Sequence, residues 1–206
     1  VVMDLIPILQ PIITNSSDLA IFDVGAEVVL DASNTPNLSN QIDSETGFQW
    51  DTNGDGFFDA SGSSITISWN EPAQFTIGLR AVSQDGRSAT VYLNTTIQDI
   101  SPPDVSLSAS DTIRKDFDDE LLLTANIDDN WGIYSVEWLV DETVIQNYSS
   151  WNWEDGKTFT FRFDSSFSAG NREVTIRVTD KEGQVTERTA IIELYDSTPP
   201  LVPQQT

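Results

Sequence analysis

The 206-residue chain contains no cysteine and no histidine, and only 10 of its residues are lysine or arginine. These absences exclude disulfide bonds, thiol chemistry, zinc sites built from thiolates or imidazoles, and serine–histidine triads. We therefore do not expect an enzyme, since only paired carboxylates would remain as catalytic groups and none stands out from an acidic surface. The 33 acidic residues give a formal net charge of −23. That charge disfavours nucleic acid and anionic membrane surfaces as partners.

Long apolar runs and helical periodicity are also missing. No run approaches the roughly 18 apolar residues of a membrane-spanning helix, so no membrane insertion is expected. Residues 1–13 are apolar, but Asp4, Pro7 and Pro11 interrupt them. They lack a basic start, so they do not resemble a signal peptide, and we expect a mature form or a fragment. The lack of cysteine does not place the chain in the cytosol, because bacterial and archaeal surface modules often lack cysteine too.

Short alternating segments take the place of helices. In residues 47–50, Phe48 and Trp50 fall on one face of a strand, because side chains alternate with a period of two. Asp85-Gly86 lies between two alternating runs, which is a strong signal of a β-hairpin turn.

The segments repeat along the chain. Gly86 and Gly183 stand 97 residues apart, and so do Pro102 and Pro199. A period near one hundred residues, with about seven short strands in each repeat, predicts an all-β protein of two tandem Ig-like antiparallel β-sandwich domains. The predicted domains are residues 1–100 and 101–198, with residues 199–206 as a linker or tail.

The stretch that follows Trp50 has the spacing of a metal-binding loop. Oxygen-bearing side chains alternate at Asp51, Asn53 and Asp55 and return at Asp59. Hard cations such as Ca²⁺ prefer six to eight oxygen ligands, and the backbone carbonyl of Phe57 falls where a calcium loop uses main-chain oxygen. The sequence therefore predicts one Ca²⁺ held by these five residues.

The predicted calcium site is not an EF-hand, and the loop has an alternative interpretation without an ion. The pattern matches the first half of an EF-hand loop, but Gly62 stands at the twelfth position where a bidentate glutamate is needed, and the flanking segments alternate like strands. The alternative is a connection rich in Asx turns that holds no ion, since Asn, Asp and Gly favour such turns. Repulsion among acidic groups left unneutralised favours the ion.

Both halves resemble known modules. Residues 24–33, 50–59 and 72–77 resemble a polycystic-kidney-disease (PKD) repeat, over roughly residues 20–98. Residues 128–138 and 169–183 resemble a prokaryotic Ig-like domain of surface proteins. Both families are sandwiches found along cell-surface, adhesive or secreted enzyme chains. The resemblance implies a module and not an activity.

We therefore expect a non-catalytic structural or adhesive tandem module of a secreted or cell-surface prokaryotic protein, with calcium stabilising the first domain. Its expected partners are adjacent modules of a longer chain, and a cell-surface protein or glycan is a further candidate. One alternative is a carbohydrate-binding accessory module of a secreted enzyme, because Trp151 and Trp153 would share a face if their segment were extended. The other alternative is a subunit of an extracellular filament or surface layer.

Overall fold

The computed structural model describes residues 9–15, 21–36, 41–109 and 112–197. The chain divides into two compact units, Val1–Ile100 and Ser101–Thr206. The linker or tail predicted for residues 199–206 lies outside the described residues. No helix in the described part of the chain is long and apolar enough to span a membrane.

The first unit is built from two β-sheets. Its described strands, in chain order, are β1 (Thr14–Asn15), β2 (Ile21–Asp23), β3 (Val28–Asp31), β4 (Phe48–Asp51), β5 (Ala60–Ser61), β6 (Ser64–Ile67), β7 (Ala73–Val82) and β8 (Ser88–Gln98). One sheet has the order β1-β3-β6 and the other β2-β8-β7-β4-β5. Among the described pairs, β2 and β8 run parallel and all the others are antiparallel.

The core of the first unit follows the period of two. Phe48 and Trp50 on β4 are both buried, with Trp50 fully enclosed, as the alternation predicts. The indole Nε1–H of Trp50 donates a hydrogen bond to the Gly62 carbonyl at 2.8 Å. This bond ties strand β4 to the turn between β5 and β6.

The second unit also has two sheets. Its described strands are β9 (Asp104–Leu107), β10 (Ile113–Asp116), β11 (Glu120–Asp128), β12 (Ile133–Val140), β13 (Thr143–Ser149), β14 (Thr158–Arg162), β15 (Gly170–Asp180) and β16 (Val185–Tyr195), with a 3₁₀ helix at Trp153–Lys157. The sheets have the orders β14-β11-β9 and β10-β16-β15-β12-β13. Here β10 pairs with β16 in parallel and every other described pair is antiparallel.

Trp138 of β12 occupies the place in this core that Trp50 occupies in the first. It is fully buried and stacks on Phe159 with ring centroids 4.9 Å apart. Its indole N–H donates to the carbonyl of the buried Gly156 at 2.7 Å. Each core tryptophan thus bonds to the carbonyl of a glycine that follows it in the chain.

The architecture confirms the predicted all-β fold class of two sandwiches. The hairpin predicted at Gly86 is confirmed, since β7 pairs with β8 across it, and β15 pairs with β16 across a second hairpin turn at Gly183. The alternation of apolar and polar residues in the sequence does not predict β10, because Ile113 is its single apolar residue. Its four-residue pairing with β16 places it in the sheet.

Candidate functional site

The candidate site is the loop that joins β4 to β5, and Asp51 is its centre. Asp51 ends β4 and is only 4 % exposed. One carboxylate oxygen, Oδ1, accepts the Gly54 N–H at 2.7 Å, and the other, Oδ2, accepts the Gly56 N–H at 2.9 Å. Both glycines have left-handed backbones, with φ of +76° and +86°, where a residue with a Cβ is disfavoured. The loop therefore folds back over a single carboxylate.

The next two predicted ligands form consecutive Asx turns. Asn53 Oδ1 accepts the N–H of Asp55 at 3.0 Å, and Asp55 Oδ1 accepts the N–H of Phe57 at 2.8 Å. The amide of Asn53 also donates to Asp55 Oδ2 at 3.1 Å. The side chain of Phe57 is 77 % exposed. These bonds are those of the Asx-turn alternative, and they bring Asp51, Asn53 and Asp55 into one continuous hydrogen-bonded loop.

Asp59 is held differently. Its carboxylate accepts the Thr52 hydroxyl at 2.9 and 3.1 Å and the Thr52 N–H at 3.3 Å. It also lines a depression of about 240 Å³ together with Arg80, whose guanidinium lies 4.1 Å from the centroid of the Phe58 ring. Asp51, Asp55 and Asp59, all within the described residues, do not bring one oxygen each within 4.8 Å of the other two.

Contacts distant in sequence anchor the loop to the sheet. A Cβ on Gly54 would lie 3.0 Å from the Thr76 carbonyl oxygen, so the loop packs closely on the backbone of β7. The indole of Trp69 donates to the Thr52 carbonyl at 3.4 Å. Trp69 itself stacks between Phe22 and Phe75, with centroids about 6 Å away on each side. No local sequence pattern predicts the roles of Thr52 and Trp69, whose contact spans 17 residues.

The electrostatics of the loop suit a cation. Among the described residues, no lysine or arginine forms an ion pair with Asp51, Asp55 or Asp59. Carboxylate and amide oxygens are the donors that Ca²⁺ prefers, and thiolate or imidazole ligands are absent from the sequence. The donor set therefore fits a hard cation, and a bound ion would have to draw the three carboxylates closer together.

The pair of tryptophans considered for carbohydrate binding does not form a flat platform. Residues 151–152 form a turn and Trp153 begins the 3₁₀ helix, so the segment is not extended. Trp153 packs against the core, with Lys157 Nζ 4.6 Å from its ring centroid. Trp151 alone is open to solvent, at 84 % exposure.

Comparison with known proteins assigns no family. No protein-family model and no curated protein sequence matches the chain. Similar solved structures include the fibronectin(III)-like modules of Clostridium thermocellum CbhA, at 20 % identity over 90 % of this chain and 95 % of that one, with a TM-score of 0.41. The titin domains z1z2 in complex with telethonin match at 14 % identity over 86 % and 92 %, with a TM-score of 0.42. Identities and TM-scores this low assign neither a family nor a function.

Proposed function

We propose that the chain is a non-catalytic structural or adhesive tandem module of a secreted or cell-surface prokaryotic protein, and that calcium stabilises its first unit. The observation that carries the proposal is Asp51, a buried carboxylate at the end of a core strand. It belongs to a loop with two further carboxylates, for which the described residues supply no ion-pair partner. An acidic chain of this kind suits a cation-rich extracellular milieu.

The ion would be held by Asp51, Asn53, Asp55, Asp59 and the Phe57 carbonyl. When bound, it supplies positive charge that offsets the repulsion among the carboxylates. An ion bound to both Asp51 and Asp59 would link two strands, because Asp51 belongs to β4 and Asp59 immediately precedes β5. Binding of both carboxylates to one ion would reinforce the existing antiparallel pairing of β4 with β5.

The expected gain in stability follows from mass action. Extracellular calcium modules bind with dissociation constants of about 10⁻⁴ to 10⁻³ M. Free calcium at about a hundred times the dissociation constant would add about 2.7 kcal/mol to the free energy of unfolding. For a unit of this size that is a large share of the total stability.

The test is hydrogen exchange of the full chain, read peptide by peptide by mass spectrometry, with added calcium chloride and with chelator. Calcium should slow exchange in residues 48–67 and leave the second unit unchanged. Asp55→Asn should abolish the response, because it removes one charge while keeping the oxygen that accepts the Phe57 N–H. Asp85→Asn is the matched control, since Asp85 accepts a backbone N–H two residues ahead, from Arg87, in the hairpin turn outside the loop.

Several outcomes decide the matter. Identical exchange with calcium and with chelator would mean that the loop is an Asx-turn connection without an ion. A response that survives in Asp55→Asn would place the ion elsewhere. An equal response to magnesium chloride would indicate general screening of the negative charge.

The carbohydrate-binding alternative is tested separately. We infer no glycan site from a single exposed ring, so a screen of the full chain against soluble glycans should show no binding. Binding that is lost in Trp151→Ala would favour the carbohydrate-binding alternative.

A further inference from the structure

The β4–β5 loop contains two peptide bonds that are chemically fragile in flexible chains. Asn53-Gly54 is the one Asn-Gly pair in the sequence, and Asp55-Gly56 follows it directly. Glycine has no Cβ to shield its backbone nitrogen, so that nitrogen can attack the side-chain carbonyl carbon of the residue before it.

The reaction at Asn53 consumes one water molecule, releases ammonia and needs no other reactant. The Gly54 nitrogen loses its proton and forms a bond to Asn53 Cγ, closing a five-membered succinimide ring. The side-chain nitrogen leaves with that proton as ammonia. Water then opens the ring to aspartate or to isoaspartate, whose main chain is one methylene longer. At Asp55 the same ring forms with loss of water, and its reopening isomerises the residue.

In the folded loop, the N–H groups of both attacking nitrogens donate hydrogen bonds to the same carboxylate, that of Asp51. The Gly54 N–H donates to Asp51 Oδ1 at 2.7 Å and the Gly56 N–H to Asp51 Oδ2 at 2.9 Å. A negatively charged acceptor opposes loss of the N–H proton, and the bond directs the nitrogen at Asp51 and away from the neighbouring side chain. Because Asp51 is 4 % exposed, water competes weakly for its oxygens.

The target carbon is restrained as well. Asn53 Oδ1 accepts the Asp55 N–H at 3.0 Å, which fixes the orientation of the amide that would be attacked. Gly54 is packed against the backbone of Thr76, so the loop cannot readily turn its nitrogen toward Asn53. Ring closure therefore requires the loop to open.

We propose that Asn53 and Asp55 form a spontaneous modification site and that Asp51 protects it. The folded loop suppresses succinimide formation at both positions, and opening of the Asp51 hydrogen bonds releases it. Conversion of Asn53 adds a negative charge when aspartate forms, and lengthens the main chain of the loop when isoaspartate forms. The proposal is independent of calcium.

The test ages the full chain at mildly alkaline pH in the presence of chelator, which keeps divalent ions out of the result. Peptide mapping with electron-transfer fragmentation then measures aspartate and isoaspartate at Asn53 in the wild type and in Asp51→Ala. The Asp85-Gly86 pair is an internal reference, because the Gly86 N–H donates to the Ser83 carbonyl and does not involve Asp51. Asp51→Ala should convert Asn53 about ten to a hundred times faster, as expected for losing a hydrogen bond to a charged acceptor, and leave Asp85 unchanged.

Leu30→Ala separates protection by Asp51 from general instability. Leu30 is a fully buried core residue of the same unit, and its truncation should accelerate Asn53 and Asp85 by the same factor. The proposal is overturned if Asp51→Ala behaves like Leu30→Ala or like the wild type. It is also overturned if the folded wild type converts Asn53 as fast as the chain unfolded in urea.

Discussion

Replacing Trp138 by phenylalanine tests how the core of the second unit is held. Trp138 is fully buried, and its N–H bonds to the carbonyl of the buried Gly156 at 2.7 Å. Phenylalanine keeps an aromatic ring to stack on Phe159 but has no N–H. The Gly156 carbonyl would then be left buried without this donor, which costs about 1–3 kcal/mol.

The lost part of the indole adds a second cost. Phenylalanine is smaller than tryptophan, so the substitution leaves a void that the surrounding side chains only partly fill. Even a change as small as Ile→Val costs about 0.5–1.5 kcal/mol in this way. We therefore expect Trp138→Phe to lower the free energy of unfolding by about 2–4 kcal/mol. Trp50→Phe should cost less, because Trp50 is equally buried but its acceptor is the carbonyl of Gly62, a residue that is only half-buried.

Urea unfolding followed by far-ultraviolet circular dichroism measures the loss, and hydrogen exchange assigns it to one unit. Trp151→Phe is the matched control, since Trp151 is 84 % exposed and surface substitutions usually change stability by less than about 0.5 kcal/mol. If Trp138→Phe cost no more than Trp151→Phe, the indole–carbonyl bond would have no structural importance. Loss of protection in the first unit by Trp138→Phe would equally contradict the reasoning.

Two further predictions concern close packing and pH. Gly156→Ala would place a Cβ 2.8 Å from Tyr148 Cδ2 and 2.9 Å from Val136 Cγ1, and this overpacking should cost about 1–3 kcal/mol in urea unfolding. Hydrogen bonds, the largest from the Thr46 backbone N–H, hold the pKa of Asp43 below its usual value. Its contribution to stability is therefore present above the unfolded pKa and lost as pH falls through the folded pKa. Asp43→Asn should be less stable than the wild type at neutral pH, and the difference should vanish in acid. A difference that is independent of pH would show that the charge is not involved.

Much of the fold is local in origin. Phe48 and Trp50 share a buried face because the pleat of a strand places alternate side chains on the same side. The turns at Gly86 and Gly183 form where a glycine adopts φ of +86° and +89° between two alternating runs. The repeat of 97 residues between these glycines predicts two similar sandwiches without any knowledge of their contacts. The buried strand faces and the turns depend on neighbours within a few residues, and the repeat is visible in the sequence itself.

Other features depend on which segments meet after folding. The parallel pairing of Ile21–Asp23 with the end of Ser88–Gln98 joins strands from opposite ends of the first unit's sequence. Ile113–Asp116, with one apolar and three charged residues, becomes a strand because it pairs with β16. In the candidate site, alternation along the chain predicts oxygen ligands at Asp51, Asn53, Asp55, Phe57 and Asp59. It does not predict that Thr52 binds Asp59, or that Trp69 anchors the loop. Those contacts form only in the folded chain, since closing the loop brings together residues 7 positions apart and packing of Trp69 brings together residues 17 positions apart.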